Sequence, residues 1–371
     1  MAMHVIFPGP RTTVQDEGRF GYQNMGFPSS GFMDRDASHM ANVLVGNDEW
    51  EALLEFCLIG PILSFDEPVN LAVCGGDFSL EVEGRVYSAY RAVHVPSGKR
   101  VRVLTGEVGV YGSLAISGGL AIPRVMGSKS TLLRCGIGGY QGRALMAGDV
   151  IPLWDPEIGR EDVSWRAVKD SSLELLFASW RQEVIKIRVI PGPQEEMFTG
   201  RGIETFYGSR YQVTGQSDRM GYRLSGPLVE AKQGYDILSD GIAMGSIQIS
   251  GNGEPIVMMA DRQTTGGYAK IATVCSVDLS LFARLRPGQK VEFVRTSVQE
   301  AQRLLRKQED KWSILCSHLS LLDMKRRAEK KIRGINFTRD KVRKGNKEKG
   351  RSRYRRDWRK GERGRRKRWQ R

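Results

Sequence analysis

Histidine and cysteine are scarce in this 371-residue chain, with four of the first and five of the second. The cysteines (Cys57, Cys74, Cys135, Cys275 and Cys316) form no Cys-x-x-Cys pair. Most lie in apolar or glycine-rich stretches such as Leu71-Ala72-Val73-Cys74-Gly75-Gly76, where a small buried thiol is the ordinary reading. A disulfide framework is thereby excluded, and a metal site with several ligands is disfavoured. His39 reads as helix packing and His94, before Val95-Pro96, as a satisfied strand-end residue. No Ser/His/Asp or Cys/His catalytic set assembles from so few histidines. Long apolar runs are also missing. Nothing approaches about 18 uninterrupted apolar residues, and the first residues lack a basic region followed by an apolar one. The expectation is a soluble, cytoplasmic chain with no membrane span.

Charge is present in quantity but unevenly. The formal charge of +15 comes from 57 Lys and Arg against 42 Asp and Glu. Residues 324–371 hold 24 of the basic and 5 of the acidic residues, a net of +19, which leaves 33 against 37 and a net of −4 for residues 1–323. The body is mildly acidic, and the basic character belongs to a tail.

Residues 1–155 carry short apolar runs punctuated by Gly and Pro. Runs at 71–74, 80–82, 101–104 and 108–113 read as strands. A helix is expected at 35–45, with Asp34 as cap, an apolar stripe from Ala37 to Val45, and a stop at Gly46-Asn47. Residues 156–185 read as a charged bridge. A second block, 186–308, repeats the pattern with strands at 184–190, 246–249, 256–259 and 291–294. In it, Ser297-x-x-Glu300 forms a capping box for a short helix. Many short strands and few helices predict a mainly β fold of barrels or sandwiches. A faint echo between Val5-Ile6-Phe7-Pro8-Gly9-Pro10 and Val189-Ile190-Pro191-Gly192-Pro193 suggests two related domains. Residues 309–371 read as a basic, disordered tail.

Four polar, glycine-bearing segments could carry chemistry. The first runs from Thr12 through Gln15, Asp16, Arg19 and Tyr22 to Pro28-Ser29-Ser30-Gly31-Phe32-Met33-Asp34. It is richer in glycine and hydrogen-bonding groups than a hairpin needs. The second is Gln216-Ser217-Asp218-Arg219-Met220-Gly221-Tyr222, and the third is Ser239-Asp240-Gly241 through Gln248. The fourth, Asp261-Arg262-Gln263-Thr264-Thr265-Gly266-Gly267-Tyr268-Ala269-Lys270, follows an apolar strand. Binding a small polar substrate and plain structural ion pairing both account for such clusters. Gly127-Ser128-Lys129-Ser130-Thr131 is a failed P-loop. Ser128 separates Gly from Lys, and Ile122 stands where the upstream Gly is required.

At these segments the chain resembles the biotin-dependent carboxyltransferase-like family that includes the C subunit of bacterial 5-oxoprolinase. The resemblance rests on Thr12-Thr13-Val14-Gln15-Asp16-x-Gly18-Arg19-x-Gly21-Tyr22, Gly31-x-Met33-Asp34, Leu44-Val45-Gly46-Asn47 and Gly127-Ser128-x-Ser130-Thr131. It continues with Gly192-Pro193-Gln194, Ser217-Asp218-Arg219-Met220-Gly221-Tyr222-Arg223-Leu224, Ser239-Asp240-Gly241 and Asp261 to Tyr268. It implies two cyclophilin-like barrel domains with a site between them. It further implies partner subunits A and B that together use ATP to open 5-oxo-L-proline to L-glutamate. Arg219, Arg262 and Lys270 would then clamp anions, while Asp218, Asp240 or Asp261 would orient water or magnesium. Gln15, Gln248, Gln263 and Tyr268 would read an amide or carboxylate, with Asp16, Arg19, Thr264 and Thr265 completing the substrate set. The chain lacks an Ala-Met-Lys-Met biotin attachment sequence, so no covalently attached biotin is expected. Two other roles fit the same resemblance: a regulator that antagonises a kinase inhibitor resembling the B partner, and a carboxyltransferase component using carboxybiotin. Nucleic-acid binding rests only on the tail, where Tyr354, Trp358 and Trp369 intersperse the basic residues.

Overall fold

A computed structural model describes residues 1–154 and 161–317. The chain divides into a unit of residues 1–308 and a second unit from residue 309 onward. Of the second unit, residues 309–317 are described and are helical. The rest of the basic tail expected there lies outside the described residues, as do residue 155 and residues 156–160 of the expected bridge.

The first half of the large unit contains β1 (Ala2–Phe7), β2 (Thr12–Gln15), α1 (Arg35–Val45), β3 (Leu53–Cys57), β4 (Ile62–Phe65) and β5 (Val69–Cys74). It continues with β6 (Ser79–Val82), β7 (Arg85–Ser88), β8 (Val93–Val95), β9 (Arg100–Leu104), β10 (Tyr111–Ile116) and β11 (Val150–Pro152). These strands form a six-stranded sheet, β11-β1-β4-β9-β6-β7, and a five-stranded sheet, β2-β3-β10-β5-β8. Alternation explains the first sheet: β9 buries Val101 and Val103 and exposes Arg100 and Arg102. In the second, β5 and β10 are buried throughout, because α1 covers the face that the other sheet does not. Helix α1 has the expected bounds for the expected reason. The Asp34 carboxylate accepts from the Ala37 N–H at 3.0 Å, and Gly46 ends the helix at φ 88°.

The second half holds β12 (Val184–Pro191), α3 (Gly200–Gly208), β13 (Arg210–Val213), β14 (Gly221–Ser225), β15 (Asp236–Gly241), β16 (Ser246–Ile249) and β17 (Pro255–Met258). After them come β18 (Thr265–Tyr268), β19 (Lys270–Val274), α4 (Ser276–Ala283) and β20 (Lys290–Arg295). Seven strands close a barrel in the order β12-β19-β16-β17-β14-β13-β20, with β12 and β20 parallel. Closure removes free sheet edges. β15 and β18 stand apart as a two-stranded sheet. Residues 298–308 are helical, with the Glu300 N–H donating to Ser297 Oγ at 3.2 Å. The mainly β expectation is met, and among the described residues no helix is long and apolar enough to cross a membrane.

The segment between the halves adds helix α2 (Asp170–Trp180), which buries Leu173 and Trp180 in the first core. The halves also share a core. Met33, Val110 and Tyr111 from the first pack with the barrel's Ile187, Tyr222 and Val291. Three barrel arginines reach into the first half. Arg284 pairs with the buried Asp34, and Arg286 donates to the Gly106 and Gly109 carbonyls at 2.7 and 2.9 Å. The third, Arg219, opens the site described next.

Candidate functional site

Several buried polar residues bond across the junction of the two halves. Arg219, on the turn before β14, is 4% exposed. Its guanidinium grips the Asp261 carboxylate through Nε at 2.8 Å and Nη2 at 3.0 Å, and donates from Nη2 to the Gly31 carbonyl at 2.7 Å. Nη1 donates to Glu55, whose other oxygen accepts the Met33 N–H at 2.8 Å. Burial alone would lower the pKa of Arg219, but Asp261 and Glu55 outweigh it and hold the group protonated. Burial raises the Glu55 carboxyl above its ordinary range against the pull of Arg219. The anion clamp expected at Arg219 is therefore a joint between halves, its donors already committed to two carboxylates and a carbonyl.

Asp16 is likewise occupied. Its carboxylate accepts from the Ser128 and Ser130 hydroxyls and the Lys129 N–H, each at 2.6 Å, and from the Gly18 N–H at 3.0 Å. The failed P-loop thus wraps an internal carboxylate with donors of the kind a P-loop would turn on phosphate. Asp16→Ala should strand three buried donors and cost about 3 kcal/mol, read as a lower urea midpoint at unchanged slope.

Two further arginines are buried with no carboxylate of the described residues within ion-pair distance. Arg19 is fully buried, and its Nε and Nη2 donate to the Val125 and Ser130 carbonyls at 3.1 and 3.0 Å. Among the described residues its Nη1 has no partner, nor does the buried Oε1 of Gln15, whose Nε2 donates to Thr13 Oγ1 and the Thr131 carbonyl. Arg262, 5% exposed, donates from Nε to the Ile242 carbonyl at 2.9 Å and from Nη1 to Ser29 Oγ at 3.4 Å. Burial pushes the Arg262 pKa down to about 10, with Asp261 opposing. Burial likewise lowers Arg19, against Asp16, Asp261 and Cys135.

Both residues bond to the turn at 29–31, Arg19 through its backbone and Arg262 through its guanidinium. The Ser29 carbonyl accepts the Arg19 backbone N–H at 2.6 Å, its hydroxyl takes Arg262 Nη1, and the Gly31 carbonyl takes Arg219. Between them Ser30 adopts φ 53°, and its buried hydroxyl is unpartnered among the described residues. Such strain in a residue with a Cβ persists only where surroundings enforce it. Gly31 must be glycine: at φ 86° a Cβ would stand 2.6 Å from the Glu17 carbonyl oxygen. The chemistry on offer is two buried cations from opposite halves, an amide acceptor and a free hydroxyl, a set suited to a small anion with a hydrogen-bond donor.

The remaining expected residues fall elsewhere. Asp240 on β15 pairs with the buried Lys270 at 2.5 Å, and Gln194 donates to the same Asp240 oxygen. Gln248 donates to the Tyr268 carbonyl at 3.1 Å. These bonds fasten the two-stranded sheet to the barrel. Thr264 gives its carbonyl to the Ile242 N–H, Thr265 pairs with Gly241 across that sheet, and Gln263 and Tyr268 are exposed. Asp218 closes a local turn onto the Met220 and Gly221 N–H groups. The three aspartates expected to orient water or magnesium are thus each engaged in a different contact: Asp218 in its own turn, Asp240 with Lys270 and Asp261 with Arg219. Among the described residues no group of three or more His, Cys, Asp or Glu side chains is placed to hold a metal. A cleft of about 640 Å³ opens beside Tyr268, lined by Gln216, Arg223, Asn252 and Glu254, away from Arg19. Residue-level reading misses Glu55 as a joint group, and gives Ser29 and Ser30 no individual role within the first polar segment. Glu55 does carry a signal, a carboxylate inside the apolar run Leu53-Leu54-Glu55-Phe56.

Comparison with known proteins gives a consistent picture. Residues 25–295 match the model of the carboxyltransferase domain, subdomain A and B. The chain is 35% identical to the 5-oxoprolinase C subunit of Haemophilus influenzae over 299 residues, covering 81% of this chain and 93% of that protein. It is 35% identical to the 5-oxoprolinase C subunit of Escherichia coli over 300 residues, with the same coverage. Among solved structures, the urea amidolyase of K. lactis superposes with a TM-score of 0.76 at 30% identity, over 83% of this chain and 19% of that one. The protein TTHA0988 gives a TM-score of 0.69 at 34% identity, over 79% of this chain and 55% of that one. The chain thus spans about half or less of these two solved chains. With its fold, its motifs and these relatives in agreement, the chain belongs to the carboxyltransferase domain, subdomain A and B, family.

Proposed function

We propose that this chain is the C subunit of an ATP-dependent 5-oxoprolinase that, with subunits A and B, opens 5-oxo-L-proline to L-glutamate. The observation that carries the reading is the pair of buried arginines, Arg19 and Arg262, with no ion-paired carboxylate among the described residues, both bonded to Ser29, Arg19 by its backbone N–H and Arg262 by its guanidinium. A 5-oxoproline carboxylate would take one or both guanidinium groups, and Gln15 Oε1 would accept the ring N–H. A lactam is a poor electrophile, so the complex needs ATP to supply a leaving group on the ring oxygen. The described carboxylates do not fit a magnesium site, and this chain's part is binding and orientation. ATP handling belongs to the complex as a whole.

A second reading, carboxyl transfer from carboxybiotin, draws support from the likeness to urea amidolyase. Its ligand is also a small anion with amide character, so the same residues would serve. The experiment is reconstitution with subunits A and B, followed by ATP-dependent glutamate release. Gln15→Leu should lower turnover about 10-fold or more through the lost acceptor. Full turnover in that variant would remove Gln15 from the site. A complex that is inert toward 5-oxoproline but carboxylates an acceptor from free carboxybiotin would favour the second reading.

A further inference from the structure

We propose that the cleft on the outer face of the barrel, beside Tyr268, is a second ligand site, built for a small zwitterion of the α-amino-acid class. Its volume of about 640 Å³ lies within the roughly 300–1,000 Å³ of small-molecule sites. The floor is the outer face of β14 and β17. β14 buries Tyr222 and Leu224 in the barrel and turns Arg223 outward, opposite Ile256 in the ladder. The turns at 214–216 and 250–254, with Tyr268 of β18, form the walls.

Two opposite charges line this cleft without meeting. The Arg223 guanidinium is exposed and has no hydrogen-bond or ion-pair partner among the described residues. Half-buried Glu254 has one carboxylate oxygen taken by the Asn252 amide at 2.8 Å, and no cation of the described residues lies within ion-pair distance of it. Glu254 precedes Ile256 by two residues, so the two charges stand one diagonal step apart, a span of about 7–8 Å between backbones. Across the next ladder, β13 with β20, the outward charges Arg210 and Glu292 do meet, at 2.8 Å. A plain anion in the cleft would face Glu254 unpaired, and a sugar would neutralise neither charge. A molecule bearing both a carboxylate and an ammonium answers both: the guanidinium takes the carboxylate through two N–H groups, and the open Glu254 oxygen accepts the ammonium.

The cleft also touches both barrel segments that supply the junction of the halves. Residues 214–216 and Arg223 are the feet of the turn that carries Arg219. The Thr214 N–H donates to the Arg223 carbonyl at 3.0 Å, and the Arg223 N–H to Ser217 Oγ at 3.2 Å. Tyr268 follows Arg262 by six residues, and its carbonyl is held by Gln248 at 3.1 Å. A ligand bonded across the cleft therefore bears on both segments. Opening the lactam frees an α-amino group that is protonated at neutral pH, so L-glutamate carries the ammonium that 5-oxoproline lacks. Glutamate in the cleft would restrain turnover without displacing substrate from the junction. The zwitterion class rests on the cleft alone, whereas glutamate as its member and the effect on turnover rest on the proposed reaction.

The test titrates the full chain by calorimetry with L-glutamate and with glutarate, which lacks the ammonium. L-Glutamate should bind about tenfold tighter or more. Arg223→Gln and Glu254→Gln, both changes at the barrel surface, should each weaken it about tenfold at unchanged melting temperature, and Arg262→Met should leave it as it was. Equal affinity for the two compounds overturns the site, as does an absence of saturable binding up to about 10 mM. Binding lost in Arg262→Met but kept in the two cleft variants places the glutamate at the junction and overturns the site as well. In the complex with subunits A and B, L-glutamate should lower kcat about threefold or more at saturating 5-oxoproline. Arg223→Gln should remove that inhibition and keep the uninhibited rate. Inhibition that saturating 5-oxoproline relieves in full overturns the coupling. A complex inert toward 5-oxoproline, whose chain still binds L-glutamate through Arg223 and Glu254, would leave the cleft site standing and remove the functional reading.

Discussion

Arg219→Met should lower the stability of the large unit by about 3–5 kcal/mol, the largest loss expected of any single substitution here. The new side chain is close in length and apolar, so little packing is lost. What is lost is the one ion-pair partner, among the described residues, of two buried carboxylates, Glu55 and Asp261, together with the bond to the Gly31 carbonyl. Those carboxylates come from opposite halves, so the damage should appear as separation of the first sheets from the barrel. The effect also has a pH signature. Without Arg219, the Glu55 carboxyl would have its folded-state pKa raised further above its unfolded one, in the direction burial already imposes and with no guanidinium to oppose it. A raised carboxyl leaves stability intact below the unfolded pKa and loses it as pH climbs toward the folded one. The deficit against the unmodified chain should be small near pH 4 and grow toward neutrality, as read by urea unfolding at a series of pH values. Adding Glu55→Gln and Asp261→Asn should recover part of the loss at neutral pH, since neutral amides carry no such penalty. A deficit that is flat with pH would mean that the triad contributes through packing and not through charge.

The contrast between neighbours Asp261 and Arg262 shows where sequence reading stops. Both stand in one motif, and both carry an expected catalytic role for the same reason, a polar cluster at a strand end. Asp261 turns back to Arg219, 42 residues earlier, while Arg262 turns across the joint to Ser29. Nothing local distinguishes them, because the partners are brought close by barrel closure. That closure is itself non-local: β12 pairs in parallel with β20, matching Val184 to Lys290. Helix α1 is legible to the residue because its cap, its apolar stripe and its Gly stop lie within a dozen positions. The strand expected at 108–113 begins at Tyr111, since Gly109 sits at φ 86° and Val110 gives its carbonyl to the Leu58 N–H outside the ladder. Asp16 is legible as important and differs in kind from its expected role. Its motif marks the carboxylate that organises the 128–131 loop, and the group facing the proposed ligand is the Arg19 it helps to place.

Arg262→Met should do the opposite of Arg219→Met, raising stability while removing function. Arg262 is buried with no carboxylate of the described residues within ion-pair distance, and its hydrogen bonds go to two carbonyls and one hydroxyl. Its pKa, pushed down to about 10, measures how poorly the site tolerates the charge when no anion is bound. Arginine keeps its proton at neutral pH all the same, so the depression expresses itself as a standing cost to the fold. With the guanidinium largely desolvated, that cost is on the order of 1–3 kcal/mol. Methionine fills similar volume without the charge, so the unliganded variant should melt several degrees higher than the unmodified chain. Its carbonyl partners Ile242 and Met259 and the Ser29 hydroxyl lose a donor, which limits the gain but does not reverse it. The same change removes one of the two cations available to an anionic ligand, and turnover of the assembled complex should fall by about 100-fold or more, roughly 3 kcal/mol of lost binding to substrate and transition state. The two readouts discriminate between roles. A structural arginine would lose stability and activity together when replaced. A binding arginine held in place at the expense of stability loses activity alone, and adding 5-oxoproline should raise the melting temperature of the unmodified complex but not that of the variant.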